Sequence, residues 1–397
     1  MTRHRFFLSL LLSLISLPLA AQRATDIGVV DVRTAVSTVP VRVSASPEEL
    51  DKLANFAFEA HGRYQRVTSD PVYNIRFTAV AGNRVQVDVT RGSTPTLSRT
   101  VTGSSLRHAL LKAADVAVES TGGGKGFFAS QLAFIAERTG RTEVYTGDLF
   151  FGGVRQLTSD GASAMSPRWS PDGSKILYTS FHRSNAADIF MIDLGTMQRN
   201  SFVSFKGTNQ GARFSADGSK VAMVLSGEGN PEVYVANANG RGVTRRTKTS
   251  GVESSPVFSP DGRQLLFTSD AAGGPQLYVM PVTGGRMSRL PTNISRYCAE
   301  PDWSTGDPTK IAFTMRIGRG FQIGLFDLKT RAVAKQVSRA PEDAVEPVWL
   351  ADGRHLLYTA RAANSRSIWL LDTETGRSTR LSASSLGSVS QASVVLP

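Results

Sequence analysis

Ser170-Pro171-Asp172-Gly173 comes back as Ser215-Ala216-Asp217-Gly218, as Ser259-Pro260-Asp261-Gly262 and as Leu350-Ala351-Asp352-Gly353, with a degraded copy at Ser304-Thr305-Gly306-Asp307. Each is turn chemistry: proline presets φ, aspartate bonds its own backbone, and glycine accepts a positive φ. A short β-rich run follows each turn: Ile176-Leu177-Tyr178-Thr179, Val221-Ala222-Met223-Val224, Leu265-Leu266-Phe267-Thr268, Ile311-Ala312-Phe313-Thr314 and Leu356-Leu357-Tyr358-Thr359, with Leu132-Ala133-Phe134-Ile135 as an earlier member. From Leu132 the steps are 44, 45, 44, 46 and 45 residues. A further set at Val144, Ile189, Val233, Leu277, Ile323 and Ile368 repeats at 45, 44, 44, 46 and 45. A period near 45 with several short strands per unit sets aside leucine-rich, ankyrin and helical repeats and predicts propeller blades. One four-stranded sheet cannot bury both its faces, whereas a ring of sheets packs face to face and leaves only short edges.

The inner strand carries an aromatic at Trp169, Phe214, Phe258, Trp303 and Trp349, five times where the other sets occur six. One more period beyond Trp349 lands on Val394, within Ala392-Ser393-Val394-Val395. The C-terminal tail is therefore predicted to supply the inner strand of blade 1, whose other strands come from about residues 131–159. The expected fold is an all-β six-bladed β-propeller of four-stranded blades, closed by the C-terminal strand and preceded by a small α/β domain.

Residues 1–21 read as a signal peptide: Arg3 and Arg5, an apolar run from Phe6 to Leu19, then Ala20 and Ala21. The run is too short to span a bilayer, which takes roughly 20 apolar residues. Export is the implied route. Without Arg3 and Arg5 the formal charge falls from +12 to +10, with the basic residues scattered and no aromatic-interleaved stripe for nucleic acid. Such a chain suits an acidic partner or an anionic envelope surface. Cys298 is the single cysteine, so no internal disulfide is available, and it reads as a small buried hydrophobe.

Residues 22–119 lack the repeat. Ile27 to Val32 reads as a strand. Ser46-Pro47-Glu48-Glu49 reads as a helix start with Ser46 as cap, Pro47 in the first turn and Glu49 completing a capping box. Tyr73, Ile75, Phe77 and Ala79 alternate against Val85, Val87 and Val89 across Gly82-Asn83, a hairpin. Thr96 to Val101 adds a strand, and a second helix runs from about Ser105 to Ser120, giving the order βαβββα. Residues 120–130, with Gly122, Gly123, Gly124 and Gly126, read as a hinge before the propeller at 131–397. Their glycine spacing and the Gly126 that follows Lys125 do not fit a phosphate loop.

The sequence points to no catalytic residue, metal ligand or cofactor. The histidines at 4, 61, 108, 182 and 355 have no metal spacing, and no Gly-x-Ser-x-Gly elbow is present. Asp172, Asp217, Asp261 and Asp352 share a turn role. Glu253, Glu300 and Glu346 fall near the start of inner strands and can converge on one mouth, a candidate site for a cation or a basic partner.

Met165-Ser166-Pro167-Arg168-Trp169-Ser170-Pro171-Asp172-Gly173-Ser174-Lys175-Ile176 resembles the repeat of the TolB family, periplasmic propellers of the Tol–Pal system. The likeness extends to the leader, the α/β domain, the glycine-rich segment followed by Phe127 and Phe128, and six blades. It implies a non-catalytic scaffold that binds Pal, a peptidoglycan-associated lipoprotein, at the channel mouth and supports outer-membrane integrity and cell division. The loops that carry that role map onto Ser163, Ala164 and Met165; Thr208, Asn209 and Gln210; Glu253, Ser254 and Ser255; Cys298, Ala299 and Glu300; and Ala344, Val345 and Glu346, with a sixth at about Leu386 to Ser390. The resemblance also implies a TolA-like inner-membrane partner met by an N-terminal arm, for which only Gln22 to Asp26 precede the first expected strand. The competing readings are a glycan lyase or hydrolase using the ring mouth, and a general extracellular protein-binding propeller.

Overall fold

The computed structural model describes residues 29–30, 37–138, 140–183 and 186–396, so the expected leader lies outside the described residues. Six antiparallel sheets carry the repeat. Blades 2 to 5 begin with the inner strands Ala164–Trp169, Asn209–Phe214, Glu253–Phe258 and Cys298–Trp303, and each runs outward through four strands in chain order. Blade 1 is built as the repeat count requires: Ser388–Val395 is its inner strand, paired with Gln131–Glu137 so that Val394 opposes Leu132. Blade 6 starts at Asp343–Trp349 and gains a fifth strand, because Val29–Val30 pairs antiparallel with Ser378 and Thr379 on its outer edge. That corrects the expectation for Ile27 to Val32, which placed a strand in the front domain.

The second strands are apolar without alternation because they lie between neighbouring blades. Leu132 to Ala136 are 0–3% exposed. The turns at the inner-strand ends hold as their chemistry predicts. Ser170 Oγ donates to Asp172 Oδ1 at 2.5 Å and accepts from the Lys175 amide at 2.9 Å, and Ser215/Asp217 and Ser259/Asp261 repeat the pattern. Hydrogen bonds from Ser170 and Ser174 hold the Asp172 carboxyl down at about 2.

The front sheet has five strands in the order Tyr64–Arg66, Val39–Ser46, Tyr73–Val80, Arg84–Arg91, Thr94–Thr102, with helices α1 (Glu48–Ala60) and α2 (Leu106–Ser120) packed on it. The Val39–Ser46 and Tyr64–Arg66 strands are additions to the expected order. The capping box on α1 does not form. Ser46 ends a strand, Pro47 sits at the cap position without a side-chain bond, and Asp51 Oδ1 instead accepts from the Ala45 amide at 2.7 Å. On α2 the Ser105 hydroxyl accepts from the His108 amide at 3.1 Å, as the sequence suggests.

Segment 120–130 is packed rather than free. Asp115 on α2 accepts from the Phe128 and Ala129 amides at 2.6 and 3.0 Å, and Phe127 and Phe128 are buried. One continuous apolar core runs from the front domain through these phenylalanines into blades 1 and 6.

The contacts at this junction fall at the Ser-Pro-Asp-Gly end of the ring. There blade 6 departs from its siblings: Leu350 replaces the serine, and Asp352 Oδ2 pairs with His355 Nδ1 at 2.5 Å. His355 Nε2 donates to the main-chain oxygen of His61 at 2.6 Å. Arg354 grips Asp372 through two bonds of 2.8 and 2.6 Å. Asp372 lies so close to Gly62 that a Cβ there would stand 2.7 Å from Oδ2, and φ at Gly62 is +80°, so both space and backbone demand glycine. Arg107 of α2 adds a pair to Asp148 of blade 1.

Candidate functional site

The inner strands converge on a central channel whose other end, opposite the front domain, is open. Each inner strand is interrupted by a bulge, and the bulged residue has a left-handed backbone: Ser166, Gly211, Ser255, Glu300, Glu346 and Gln391, with φ between 51° and 65°. A bulge leaves one residue unpaired and re-aims its side chain. Here it turns one residue per blade into a ring facing a cavity of about 180 Å³.

The bulge amides find partners on the preceding blade. Thr179, Thr314 and Thr359, each on a second strand, accept at Oγ1 from the amides of Gly211 (3.3 Å), Glu346 (3.0 Å) and Gln391 (3.1 Å). The ring is thus a cross-blade lattice. Glu300 Oε2 accepts from Thr314 Oγ1 at 2.7 Å and from the Glu346 amide at 3.1 Å. Glu346 accepts from Thr359 Oγ1 at 2.8 Å and from Gln391 Nε2 at 3.1 Å, and Gln391 Oε1 receives the Ser166 amide at 2.7 Å. Burial, then the neighbouring Glu346 carboxylate, raises the Glu300 carboxyl above its ordinary range.

A charged belt lies one step deeper. Arg213 pairs with Asp302 at 2.5 Å, and Asp302 Oδ2 accepts from the Trp349 amide at 2.8 Å. Among the described residues Arg168 donates to two backbone oxygens, those of Pro167 (2.8 Å) and Ala392 (3.4 Å). Burial, then Arg213, pulls its proton affinity down to about 9, so it stays charged at neutral pH. Beyond the belt a second cavity of about 330 Å³ is walled by Trp169, Phe214, Phe258, Trp303, Trp349 and Val394. Among the described residues lining the two cavities there is no histidine or tyrosine, and no group of three metal-ligating side chains occurs among the described residues.

The sequence-mapped loop residues divide by position. Gln210, Ser254, Ser255, Glu300 and Glu346 line the channel. Ser163, Ala164, Met165 and Val345 line a side opening of about 280 Å³, shared with Glu346 and Gln391. Ala164, Asn209, Glu253 and Cys298 occupy the first position of their inner strands and Ala344 the second, all buried within their blades, and Ala299 is buried beside Cys298. Thr208 is half-buried, and its amide donates to Ser226 Oγ at 2.8 Å.

Glu253 therefore does not join Glu300 and Glu346 in a three-carboxylate mouth. It is enclosed, accepting from Ser269 (2.6 Å) and Thr249 (2.9 Å), and burial and the adjacent Glu232 push its carboxyl up to about 7. These buried residues are scaffolds for the loops above them. Asn209, for example, accepts from the Phe205 amide at 3.0 Å and donates to the Phe205 oxygen at 2.8 Å. Sequence reasoning missed Ser166, Arg168, Gly211, Arg213 and Gln391. Their signal was present: the bulged residue stands directly before Pro167, Ala212, Pro256, Pro301, Pro347 or Ala392 in every blade.

The family model described as TolB beta propeller domain matches residues 118–394. The chain belongs to the TolB family. It is 32% identical over 164 residues to the Tol-Pal system protein TolB of Anaeromyxobacter dehalogenans (strain 2CP-C), covering 39% of this chain and 36% of that protein. It is 32% identical over 139 residues to the protein TolB homolog of Chlorobium chlorochromatii (strain CaD3), covering 35% and 31%. The matched stretch thus spans about a third of the length of each of these relatives. The crystal structure of TolB from Acinetobacter baumannii superimposes with a TM-score of 0.80 at 22% identity, covering 93% of this chain and 99% of that one, so the two share a fold. A putative TolB from Agrobacterium tumefaciens gives 0.52 at 18% identity, covering 64% and 88%. No helix among the described residues is long and apolar enough to cross a membrane.

Proposed function

We propose that the protein is a non-enzymatic periplasmic scaffold of a Tol–Pal envelope system that binds a peptidoglycan-associated lipoprotein at the open end of its propeller. In that role it supports outer-membrane integrity during division. The observation that carries the reading is the family match over residues 118–394. The geometry agrees with binding rather than turnover. The carboxylates of the channel are engaged in holding it together: Asp302 by Arg213 and the Trp349 amide, Glu300 by Thr314, and Glu346 by Thr359 and Gln391. A fold of this kind hosts many functions, so the site and not the ring is what must be tested. A TolA-like partner for the N-terminal segment belongs to the same proposal.

The test is capture. The tagged mature protein, incubated with detergent-solubilised envelope from its own source, is expected to retain an OmpA-like peptidoglycan-binding lipoprotein. Retention of none, with the protein folded, would overturn the proposal.

A further inference from the structure

The two ends of the ring differ in charge. In the described loops at the open end, eight lysines and arginines are exposed against two exposed carboxylates, Glu228 and Glu342. In the turns and loops at the opposite end the exposed counts are five and four. The open-end cations run round the whole rim, among them Arg141, Arg183, Lys248, Arg296, Arg319 and Arg366. None of these six takes part in an ion pair among the described residues.

Apolar side chains stand between them. Phe181, Phe205, Val252 and Ile317 are 38%, 54%, 44% and 40% exposed, the first three in open-end loops and Ile317 at the open end of its strand. Their backbones are pinned. The Phe181 amide donates to the Ser163 oxygen at 3.3 Å, Phe205 is held by Asn209, and the Val252 amide donates to Asp270 at 2.7 Å. Side chains presented at fixed positions lose little entropy on binding, and aromatic and arginine residues are the ones enriched in protein interfaces.

We infer that the rim of the open end is a preformed docking surface for the acidic face of a folded protein, with Phe205 and Phe181 as apolar anchors and the arginine ring as the charge that draws the partner in. A protein fits better than a bilayer or an anionic glycan for two reasons. The surface is hollow, with the cavity of about 180 Å³ at its centre, which suits a protruding loop and not a flat membrane. Arg168, Arg213, Glu300 and Glu346 all line that hollow, so it presents both signs of charge, which suits a mixed-charge protein surface better than a uniformly anionic polymer. The inference deepens the scaffold reading and rests on it for the kind of partner.

The experiment titrates the purified protein with the soluble domain of the source organism's own OmpA-like lipoprotein, followed by calorimetry. Raising the salt from about 50 to about 300 mM is expected to weaken binding about tenfold or more. Phe205→Ala is expected to cost about tenfold, and the triple reversal Arg183→Glu, Arg319→Glu, Arg366→Glu more than that. Arg263→Glu with Arg331→Glu at the opposite end is expected to change little. Circular dichroism on each variant checks that it is folded.

Binding that is insensitive to salt, to Phe205→Ala and to the rim reversal would overturn the inference while leaving the scaffold reading in place. Absence of binding by the unaltered protein would overturn the lipoprotein assignment. The inference would then be read from a photocrosslinker at position 205 in cells: an adduct with an acidic protein that disappears on rim reversal supports it, and no such adduct overturns it. Co-sedimentation with anionic phospholipid vesicles that depends on Phe205 and the rim cations would likewise overturn it in favour of a membrane surface.

Discussion

The two ends of the propeller use the same repeat to opposite purposes. At the docked end, blades 6 and 1 give up the regular turn. Asp352, Arg354, His355 and Asp372 turn towards the front domain, and their charges are matched at close range and buried. At the open end a bulged residue recurs in every blade, bonded by a threonine in three of them, while the loops above carry exposed cations and phenylalanines. Matched, buried charge fixes one geometry; unmatched, exposed charge waits for a second molecule. The difference teaches where to look in a repeat protein. Loss of the repeat chemistry marks the internal interface, and variation on top of an intact repeat marks the external one.

The largest expected effect comes from the strand that reaches both ends. Removing residues 387–397 takes away the inner strand of blade 1, together with Gln391 at the open end and Val394 beside the docked end. It is expected to lower the melting temperature by more than about 10 °C or to prevent folding, since a ring without closure exposes two edges. An unchanged melting temperature would contradict the closure.

Next in size is Arg354→Ala. It leaves Asp372 buried with its carboxylate unmatched and is expected to cost about 3–5 kcal/mol, read as a lower urea midpoint. Its protease sensitivity should appear first between the front domain and blade 6.

The pH response of the docked end is smaller and has a definite sign. Both ring nitrogens of His355 meet acceptors, the Asp352 carboxylate and the His61 oxygen, so the docked form holds the imidazolium. Burial opposes the charge, but Asp352 outweighs it and the affinity for the proton is raised. This contribution is therefore complete below the ordinary histidine value of about 6.5 and is lost as pH rises through the raised value. His61 runs the other way. Burial and the His355 charge hold it neutral, so its contribution is lost as pH falls below the ordinary value. Stability of the junction should peak near neutrality, and His355→Gln should flatten the alkaline side in melting curves taken across pH and, by removing the charge beside His61, soften the acid side as well.

Smallest is Glu253→Gln at the open end. A carboxyl raised to about 7 stabilises below its ordinary range and loses that contribution as pH rises through 7. The variant should leave the melting temperature unchanged at pH 5 and raise it by a few degrees at pH 8.

The ring was legible because a blade cannot drop a strand without breaking the period, so the missing sixth aromatic points to Val394. The docked end was less so. Leu350 and His355 stand out against Ser170 and Lys175, yet nothing in one sequence says that His61, far upstream, supplies the acceptor. The Val39–Ser46 strand carries its signal in the alternation of Val39, Val41, Val43 and Ala45. At the open end the residue types were found but the register was not. The triplets 163–165 and 208–210 stop one residue short of the bulge at Ser166 and Gly211, whereas 253–255, 298–300 and 344–346 end on it. Proline and the left-handed residue before it were the better ruler, because the bulge and not the strand start aims the side chain.

The central claim is that the open end receives the partner and the docked end does not. Hydrogen exchange on the protein with and without the lipoprotein's soluble domain tests it directly. The account predicts slower exchange on binding in the loops at 181–187, 204–208, 246–252 and 316–320, with no change at 171–174, 217–219 and 372–377. Protection confined to the second set, or to the front domain, would contradict it.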